Sequence, residues 1–464
     1  MPLPTPMRPL RRARRLLTLG LLALAAPLPL ALEAAPTVYP TGTTIYEPEA
    51  AQSGYTVLSL LGTPAVIVID MNGRVVKRWD GFNLSAGGPA RVLPGGMVIA
   101  PEGAFPRHQE SRALVARDFA GTELWRWDQA EEIDLDGNRV MSGRQHHDWQ
   151  LSTFPAGYPS PGVMPSLSGA RRLLLTHTTL GNGAIADRVL EDDRLVELDE
   201  AGRVLWQWRA SDHVDELGLD AAARRAIRRL ANRDGFDWYH VNSATYVGPN
   251  RWFDAGDQRF HPDNVIISSR QTNTVAIVAR DGRVVWRIGP DFGETLAQQA
   301  IGQIIGQHHP HLIPHGLPGA GNLLVFDNGG YGGYGDPTSV SADGSGVMQR
   351  AGSRVLEIDP VSLTVVWSYT QANFYSFNIS SAQRLANGNT LITEGAPGRV
   401  FEVTPDKRVV WEYANAPGEG PGGLVQVYRA YRIPYEWLPQ VPVPREVAVP
   451  RPDPHSFRVP ATQQ

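Results

Sequence analysis

Four histidines stand within eight residues in the stretch Gly306-Gln307-His308-His309-Pro310-His311-Leu312-Ile313-Pro314-His315. A hydrophobic core has no use for imidazole at that density. Two more sites share the pattern, Gln145-His146-His147-Asp148-Trp149-Gln150 and Asp237-Trp238-Tyr239-His240-Val241-Asn242-Ser243. Arg270 closes the strand-like run Val265-Ile266-Ile267-Ser268-Ser269. Taken singly, each histidine is as readily a satisfied structural residue as a working one. Three such sites, each in an inserted segment ahead of a strand, can converge. A neutral imidazole, with an unperturbed pKa of about 6.5, is a nucleophile at neutral pH. A second histidine within hydrogen-bond reach acts as general acid or base, and an arginine fork matches a tetrahedral oxyanion such as sulfate or phosphate. Together these residue types suit transfer of a sulfuryl or phosphoryl group through a covalent N-linked histidine. The competing chemistry is a three-histidine metal site with an open position. A guanidinium beside a divalent cation opposes it, and no metal is expected.

These residues need a frame to hold them. With 464 residues, 42% apolar and 19% charged, the chain can bury a core. At this length it is two or three domains or one large closed architecture. The 47 glycines and 38 prolines point to many turns and short strands. A net charge of −4 gives no electrostatic reason to expect nucleic acid or anionic lipid. No glycine loop of the Walker or dinucleotide type precedes a helix, so no nucleotide cofactor is expected. The absence of cysteine excludes a disulfide framework, a thiolate metal site and a cysteine nucleophile. At the N-terminus, Arg8, Arg11, Arg12, Arg14 and Arg15 precede the apolar run Leu16 to Leu32, and Ala34 and Ala35 follow. That layout predicts a secretory signal peptide over residues 1–35, and hence a periplasmic or secreted protein without stable membrane insertion after cleavage. Pro27 and Pro29 interrupt the run, which disfavours a true anchor.

A repeated hairpin is the strongest sign of organisation. Ile67 to Trp79 reads as strand, Asn-Gly turn, strand. The phrase returns at Asp118–Trp127, Leu198–Trp208, Ala279–Ile288, Glu357–Tyr369 and Val403–Tyr413, each copy closing on a pair of large residues one apart, which share a strand face. Six copies, with further strand-like runs between them, predict an all-β fold, a six-bladed β-propeller. The first and last intervals are 40-odd residues and the middle three are near 80, so the middle blades carry long insertions including short helices. Helical spacing is expected over Asp212 to Ala231, with a cap at Ser211 or Asp212, and over Glu294 to Gly306. Each is followed by a histidine site, as if covering one end of the propeller. The expected organisation is an extended strap over 36–54, the propeller with a site in its central channel over 55–438, and a Pro-rich tail over 439–464.

The sequence resembles the bacterial arylsulfate sulfotransferases. The resemblance rests on His146-His147-Asp148, His240-Val241-Asn242-Ser243, Ile266-Ile267-Ser268-Ser269-Arg270, Gln307-His308 and Val325-Phe326-Asp327-Asn328-Gly329. These stand in the family's order over roughly residues 55–435, and the opening Thr37 to Tyr46 also looks like family sequence. The resemblance implies an exported six-bladed propeller that moves a sulfuryl group from an aryl sulfate donor to a phenolic acceptor without a nucleotide sulfate, and no other cofactor. It implies His308 as the nucleophile that becomes sulfated, His240 and Arg270 as holders of the sulfuryl oxygens, and His147 as a further donor or acid/base. His146 and His309 are the register alternatives and, with Asn242, candidate substrate-binding residues. Asp327 and Asn328 are expected to brace the loop. Extra histidines at 309 and 311, and the lengthened path through Phe253 to Asp263, depart from the pattern. Rival readings are a quinone-cofactor dehydrogenase, whose blades carry a similar hairpin but whose site often uses adjacent cysteines; a metal-dependent hydrolase; and a non-enzymatic envelope scaffold, in which His147, His240, Arg270 and His308 have no reason to converge.

Overall fold

Alternating apolar runs punctuated by tight turns build six sheets, each with a core of four antiparallel strands, which form the blades of a propeller; two of the sheets carry additional strands. The computed structural model describes residues 41–84, 88–103, 109–135, 138–232, 235–417 and 423–453. The signal peptide expected over 1–35, the first residues of the strap and the last of the tail lie outside the described residues.

Blade 2 is made of Arg91–Leu93, Met97–Glu102, Ala113–Arg117 and Glu123–Trp127, inner strand first. Blade 3 is Gln145–Leu151, Arg172–Gly181, Val189–Leu198 and Val204–Arg209; blade 4 is Val241–Tyr246, Val265–Ser269, Thr274–Val278 and Val284–Ile288. Blade 5 is His308–Leu312, Leu323–Asp327, Arg354–Ile358 and Val365–Tyr369; blade 6 is Ser381–Arg384, Thr390–Glu394, Arg399–Val403 and Val409–Ala414. Blade 1 is built from both ends of the chain. Val427–Ile433 is its inner strand, paired antiparallel from Tyr55↔Ile433 to Leu60↔Val427 with a register shift between Leu58 and Leu60, ahead of Tyr55–Leu60, Ala65–Ile69 and Val75–Asp80.

Every repeated hairpin is the outer pair of its blade, and all six carry a register shift beside the turn. Their tryptophans join one blade to the next. Trp79 donates its indole N–H to the Asp118 carbonyl of blade 2 at 2.9 Å, Trp206 to Arg280 at 2.9 Å, Trp286 to Pro360 at 2.8 Å, and Trp367 to Pro405 at 2.9 Å. Trp411 closes the circle on the Met71 carbonyl of blade 1 at 2.8 Å. Between blades 2 and 3 an arginine stands in: Arg172 lies over Trp125, 5.0 Å from its ring centre, and donates to the Asp199 carbonyl at 3.2 Å. The core follows the same plan, as clusters of buried side chains between neighbouring blades.

The segment Gly42–Tyr46 is a fifth strand on the outer edge of blade 6. Tyr46 in turn exchanges backbone hydrogen bonds with Val449 of the tail at 2.8 and 2.9 Å, and its hydroxyl donates to Glu446. Both expected helices are shorter than their sequence pattern. Gly218, with φ of +74°, breaks the first, leaving a 3-10 turn over Ala210–His213 and an α-helix over Ala221–Leu230. The cap is Asp220, not Ser211 or Asp212, and accepts from the Ala223 N–H at 2.7 Å. The second helix covers Leu296–Ile301 and is capped by Thr295. Among the described residues no helix is long and apolar enough to cross a membrane.

Candidate active site

The inner strands of blades 3, 4 and 5 carry histidines at or next to their first residues, and the chain turns there through an unfavourable conformation. His147, His240 and His309 have φ of +48°, +55° and +52°. A non-glycine residue held there costs on the order of 1 kcal/mol or more and persists only where its surroundings fix it. The Tyr428 hydroxyl fixes the His147 carbonyl at 2.9 Å. Around His240, the Arg270 N–H donates to its carbonyl at 3.1 Å, and its own N–H donates to Asp237 Oδ1 at 3.1 Å.

His308 Nδ1 lies 2.7 Å from Asn328 Oδ1. The Asn328 amide nitrogen donates to the carbonyls of Ser376 and Ile379 at 2.8 and 2.9 Å, so its oxygen must accept. His308 therefore carries its proton on Nδ1 and its lone pair on Nε2. Burial holds the His308 pKa well below the usual imidazole range; the Asn328 hydrogen bond opposes this, while Arg270, Arg429 and His240 add to it. His308 is a neutral imidazole in a single tautomer.

His240 is oriented by a carboxylate: its Nδ1 is 2.5 Å from Asp237 Oδ2. Burial works against charge on Asp237, but His240 and His177 outweigh it and lower the carboxyl's pKa. The His240 ring meets that of His147 edge to face at 4.8 Å. Arg270 is partly buried, and its side chain makes one hydrogen bond, from Nη1 to Gln271 Oε1 at 3.3 Å; its Nε is buried without a partner. Burial lowers its pKa, against the pull of Asp237 and Tyr334, but a guanidinium remains charged. No carboxylate among the described residues pairs with it, so its fork is uncommitted. His147, His240, Arg270 and His308 are thus brought together.

The other sequence candidates are placed differently. His309 is fully buried, against His311 and Tyr431 at 4.5 and 5.9 Å, with neither ring nitrogen bonded. The pairing of this strand is broken between His308 and His311, where His309 takes its left-handed turn, and its ring is not brought to the cluster. Asn242 is a brace between blades: its Nδ2 donates to the Gln307 carbonyl at 2.7 Å and its own carbonyl accepts from Arg429 at 3.1 Å. Gln307 ties the same joint, with its Nε2 donating to Ser268, Ser269 and Thr274 of blade 4. Asp148 sits between two arginines, Arg91 Nη2 at 3.0 Å and Arg429 Nη1 at 2.9 Å, all three buried. Asp327 anchors the loop through Arg354 and the Ile305 N–H. Gly329 follows at φ of +71°, where a Cβ would lie 2.3 Å from the Gly352 carbonyl oxygen. His146 lies behind His147, their Nδ1 atoms 2.8 Å apart.

Sequence reasoning missed Asn328 as the partner of His308, Asp237 as that of His240, and His177 and Asp193 behind His146. Of these only Asp237, three residues before His240, had a local signal. Two groups of side chains lie close enough to share a cation, His146 with His177 and Asp193, and Glu110 with His177 and Glu191. In the first, the two imidazoles are stacked at 3.6 Å and 13°. An imidazole binds metal in its own plane, and stacked parallel rings offer no point lying in both. In the second, Arg144 Nη1 takes the cation's place, 3.1 Å from Glu110 and 3.4 Å from Glu191. A cavity of about 310 Å³ lined by Phe154, Tyr158, Val247 and Leu312 sits at the opposite ends of these inner strands, away from the cluster.

Fold and cluster together define a six-bladed propeller with an imidazole–guanidinium site where three inner strands begin. The chain belongs to the arylsulfotransferase (ASST) family, whose model matches residues 172–415. Membership supports a sulfotransferase enzyme at the level of the family. The matched span holds His240, Arg270 and His308, while His146 and His147 precede it. No curated protein matches the chain. Among solved structures it is similar to a protein of unknown function from Bacteroides caccae, at 12% identity and a TM-score of 0.42, covering 82% of this chain and 99% of that one. It is also similar to selenomethionine-substituted virginiamycin B lyase from Staphylococcus aureus, at 9% identity and 0.34, covering 80% and 84%. Apo AztD from Citrobacter koseri matches at 10% and 0.35, covering 82% and 98%. At such scores none of these carries an argument about this chain.

Proposed function

We propose that this protein is an exported sulfotransferase that moves a sulfuryl group from an aryl sulfate to a phenol in two steps, through a sulfated His308 and without a nucleotide sulfate. The observation that carries the reading is the Asn328–His308 pair, which leaves the Nε2 lone pair of a neutral imidazole as the free nitrogen near an uncommitted guanidinium. In the first step His308 Nε2 attacks sulfur, the S–O bond to the aryl group breaks, and the phenolic oxygen takes a proton. In the second, the acceptor phenol loses its proton as its oxygen attacks sulfur and the N–S bond breaks. Arg270 and His240 hold the sulfuryl oxygens as charge moves onto them; stabilisation of this kind is worth roughly 3 kcal/mol per donor. His147 is the group that gives the proton in the first step and takes it in the second. The basic and apolar N-terminal segment supports export.

The test is mass spectrometry of intact protein and peptides after brief exposure to an aryl sulfate with no acceptor. A sulfuryl adduct on the His308 peptide, absent in His308→Ala, is expected. Phenol release without an adduct would replace this reading with direct hydrolysis.

A further inference from the structure

Behind His147 stands a file of buried acid–base groups. His146 is fully buried, and its Nδ1 is 2.8 Å from His147 Nδ1. Two ring nitrogens that close share one proton between them. On the far side, His146 Nε2 has no hydrogen-bond partner and lies 3.4 Å from Asp193 Oδ1, which is equally unpartnered. The other Asp193 oxygen is held by the Val241 N–H at 3.0 Å, next to His240. His177 stacks on His146 and brings its own unpartnered Nε2 to 3.9 Å from the same Asp193 oxygen. On its other face His177 Nδ1 meets Glu110 at 3.1 Å, with Glu191 at 3.7 Å.

A buried polar atom left without a partner costs about 1–3 kcal/mol. Three of them facing one another make a poor structural brace. They make a reasonable path for a proton, since each atom is a donor in one protonation state and an acceptor in the other.

We infer that His146 and Asp193 form a proton relay, which lends His147 the proton it gives to the departing phenolate and takes it back from the acceptor phenol. This rests on the sulfuryl-transfer reading. In the donor step the His147 Nε2 proton goes to the phenolate oxygen as the S–O bond breaks. The His146 Nδ1 proton moves to His147 Nδ1, and the Asp193 carboxyl proton moves to His146 Nε2. Both histidines end neutral, and the negative charge that began on the phenolate rests on Asp193. Attack by the acceptor phenol on the sulfohistidine drives the same three transfers backwards. The relay is then reset, and no proton is gained or lost over the cycle.

The electrostatics of the cluster suit that starting state. Burial lowers the pKa of His146 and His147 well below the usual imidazole range, with neighbouring histidines adding to the shift. Burial, and after it the charge of Asp237, raise Asp193 well above the usual carboxylate range, against the pull of His177 and of the Val241 N–H. Burial opposes charge on His177, but Glu191, Glu110 and Asp237 outweigh it and push it up to about 9. A permanent cation therefore waits beside the oxygen that becomes negative. His146 and Asp193 are positioning residues in this scheme; only His147 meets the substrate.

The test exploits leaving-group chemistry. 4-Nitrophenolate departs without a proton, whereas unsubstituted phenolate, whose conjugate acid has a pKa near 10 like tyrosine's, needs one. Single-turnover sulfation of His308 is measured with 4-nitrophenyl sulfate and with phenyl sulfate, in the wild type, His146→Gln and Asp193→Asn. The relay predicts that the ratio of the two rates shifts against phenyl sulfate by about a hundredfold in each variant, the usual size of a general-acid contribution. A merely structural role would slow both donors alike and leave the ratio unchanged, and that result overturns the relay while sulfohistidine chemistry stands. Reaction with 4-nitrophenyl sulfate also reports that each variant is folded. A wild type that forms no adduct removes the transfer reading and the relay with it.

Discussion

Asn328 decides which nitrogen of His308 is free. Its side-chain oxygen receives the Nδ1 proton because its own N–H₂ is committed to two backbone carbonyls. Asn328→Ala leaves the proton free to sit on either nitrogen and the ring free to turn. The expected loss in His308 sulfation is about ten- to a hundredfold, the usual effect of removing such an orienting partner. Asn328→Asp makes a sharper test. Burial keeps the wild-type imidazole neutral well below pH 6.5, so its sulfation rate should hold on passing from pH 8 to pH 6. A carboxylate at 328 favours the imidazolium, raises that pKa, and makes the rate fall over the same interval. A variant with a flat profile would show that Asn328 does not govern the protonation of His308. The sequence displayed His147, His240, Arg270 and His308 because their residue types cluster along the chain. It hid Asn328 and Asp193, since an asparagine twenty residues from its histidine and an aspartate in a different strand become partners only through strand register.

The hairpin, a turn between two outer strands closed by a tryptophan, is the element from which the molecule is built. Its six copies were legible because turn, strand and closing tryptophan all lie within about a dozen residues. The inner strands were harder to see. Gln145–Leu151 and Ser381–Arg384 are largely polar yet wholly buried, because neighbouring strands take up their polar groups: Asp148 pairs with Arg91 and Arg429, Gln383 donates to the Arg432 carbonyl, and Arg384 pairs with Glu357. The strand Val427–Ile433 pairs with residues more than 360 positions earlier, which no local pattern reveals. The repeated tryptophan also has a use that the sequence does not state, as a donor to the next blade's turn. Trp411→Phe removes that bond at the junction of blades 6 and 1, along with part of a fully buried ring. A loss of about 2 kcal/mol or more is expected in urea unfolding. Trp125→Phe, at the junction bridged by Arg172, should cost less, because among the described residues the Trp125 indole nitrogen donates to no carbonyl. Equal losses would mean that packing, and not the indole bond, joins the blades.

For the molecule as a whole, this many buried histidines set a pH window for stability. His146, His147, His308 and His309 are held well below the ordinary imidazole pKa, first of all by burial. His311 is lowered to about 4 by burial, against the pull of the His309 carbonyl and of Asp148, with Arg429 and Arg384 adding to the shift. Above pH 6.5 both folded and unfolded forms are neutral at these positions and nothing is lost. Below it the unfolded chain binds protons that the folded one refuses, so stability falls as pH falls, by about 1.4 kcal/mol per pH unit for each such histidine. His177 works in the opposite direction. Its folded pKa of about 9 means that its stabilisation is complete below pH 6.5 and is lost as pH rises to about 9. Asp193, raised by burial, works in the same sense as His177 and takes about one proton from the acid limb. Unfolding free energy should therefore peak near neutrality, with an acid limb steeper than the alkaline one. His311 is the position at which to test this, since its Nε2 meets only the Tyr158 hydroxyl at 2.8 Å and its Nδ1 the His309 carbonyl at 3.0 Å. Urea unfolding of His311→Gln between pH 4 and pH 7 should show an acid limb shallower by about 1.4 kcal/mol per pH unit than that of the wild type. An unchanged slope would mean that His311 takes up its proton without unfolding, and that the protein admits charge to the far end of its axis.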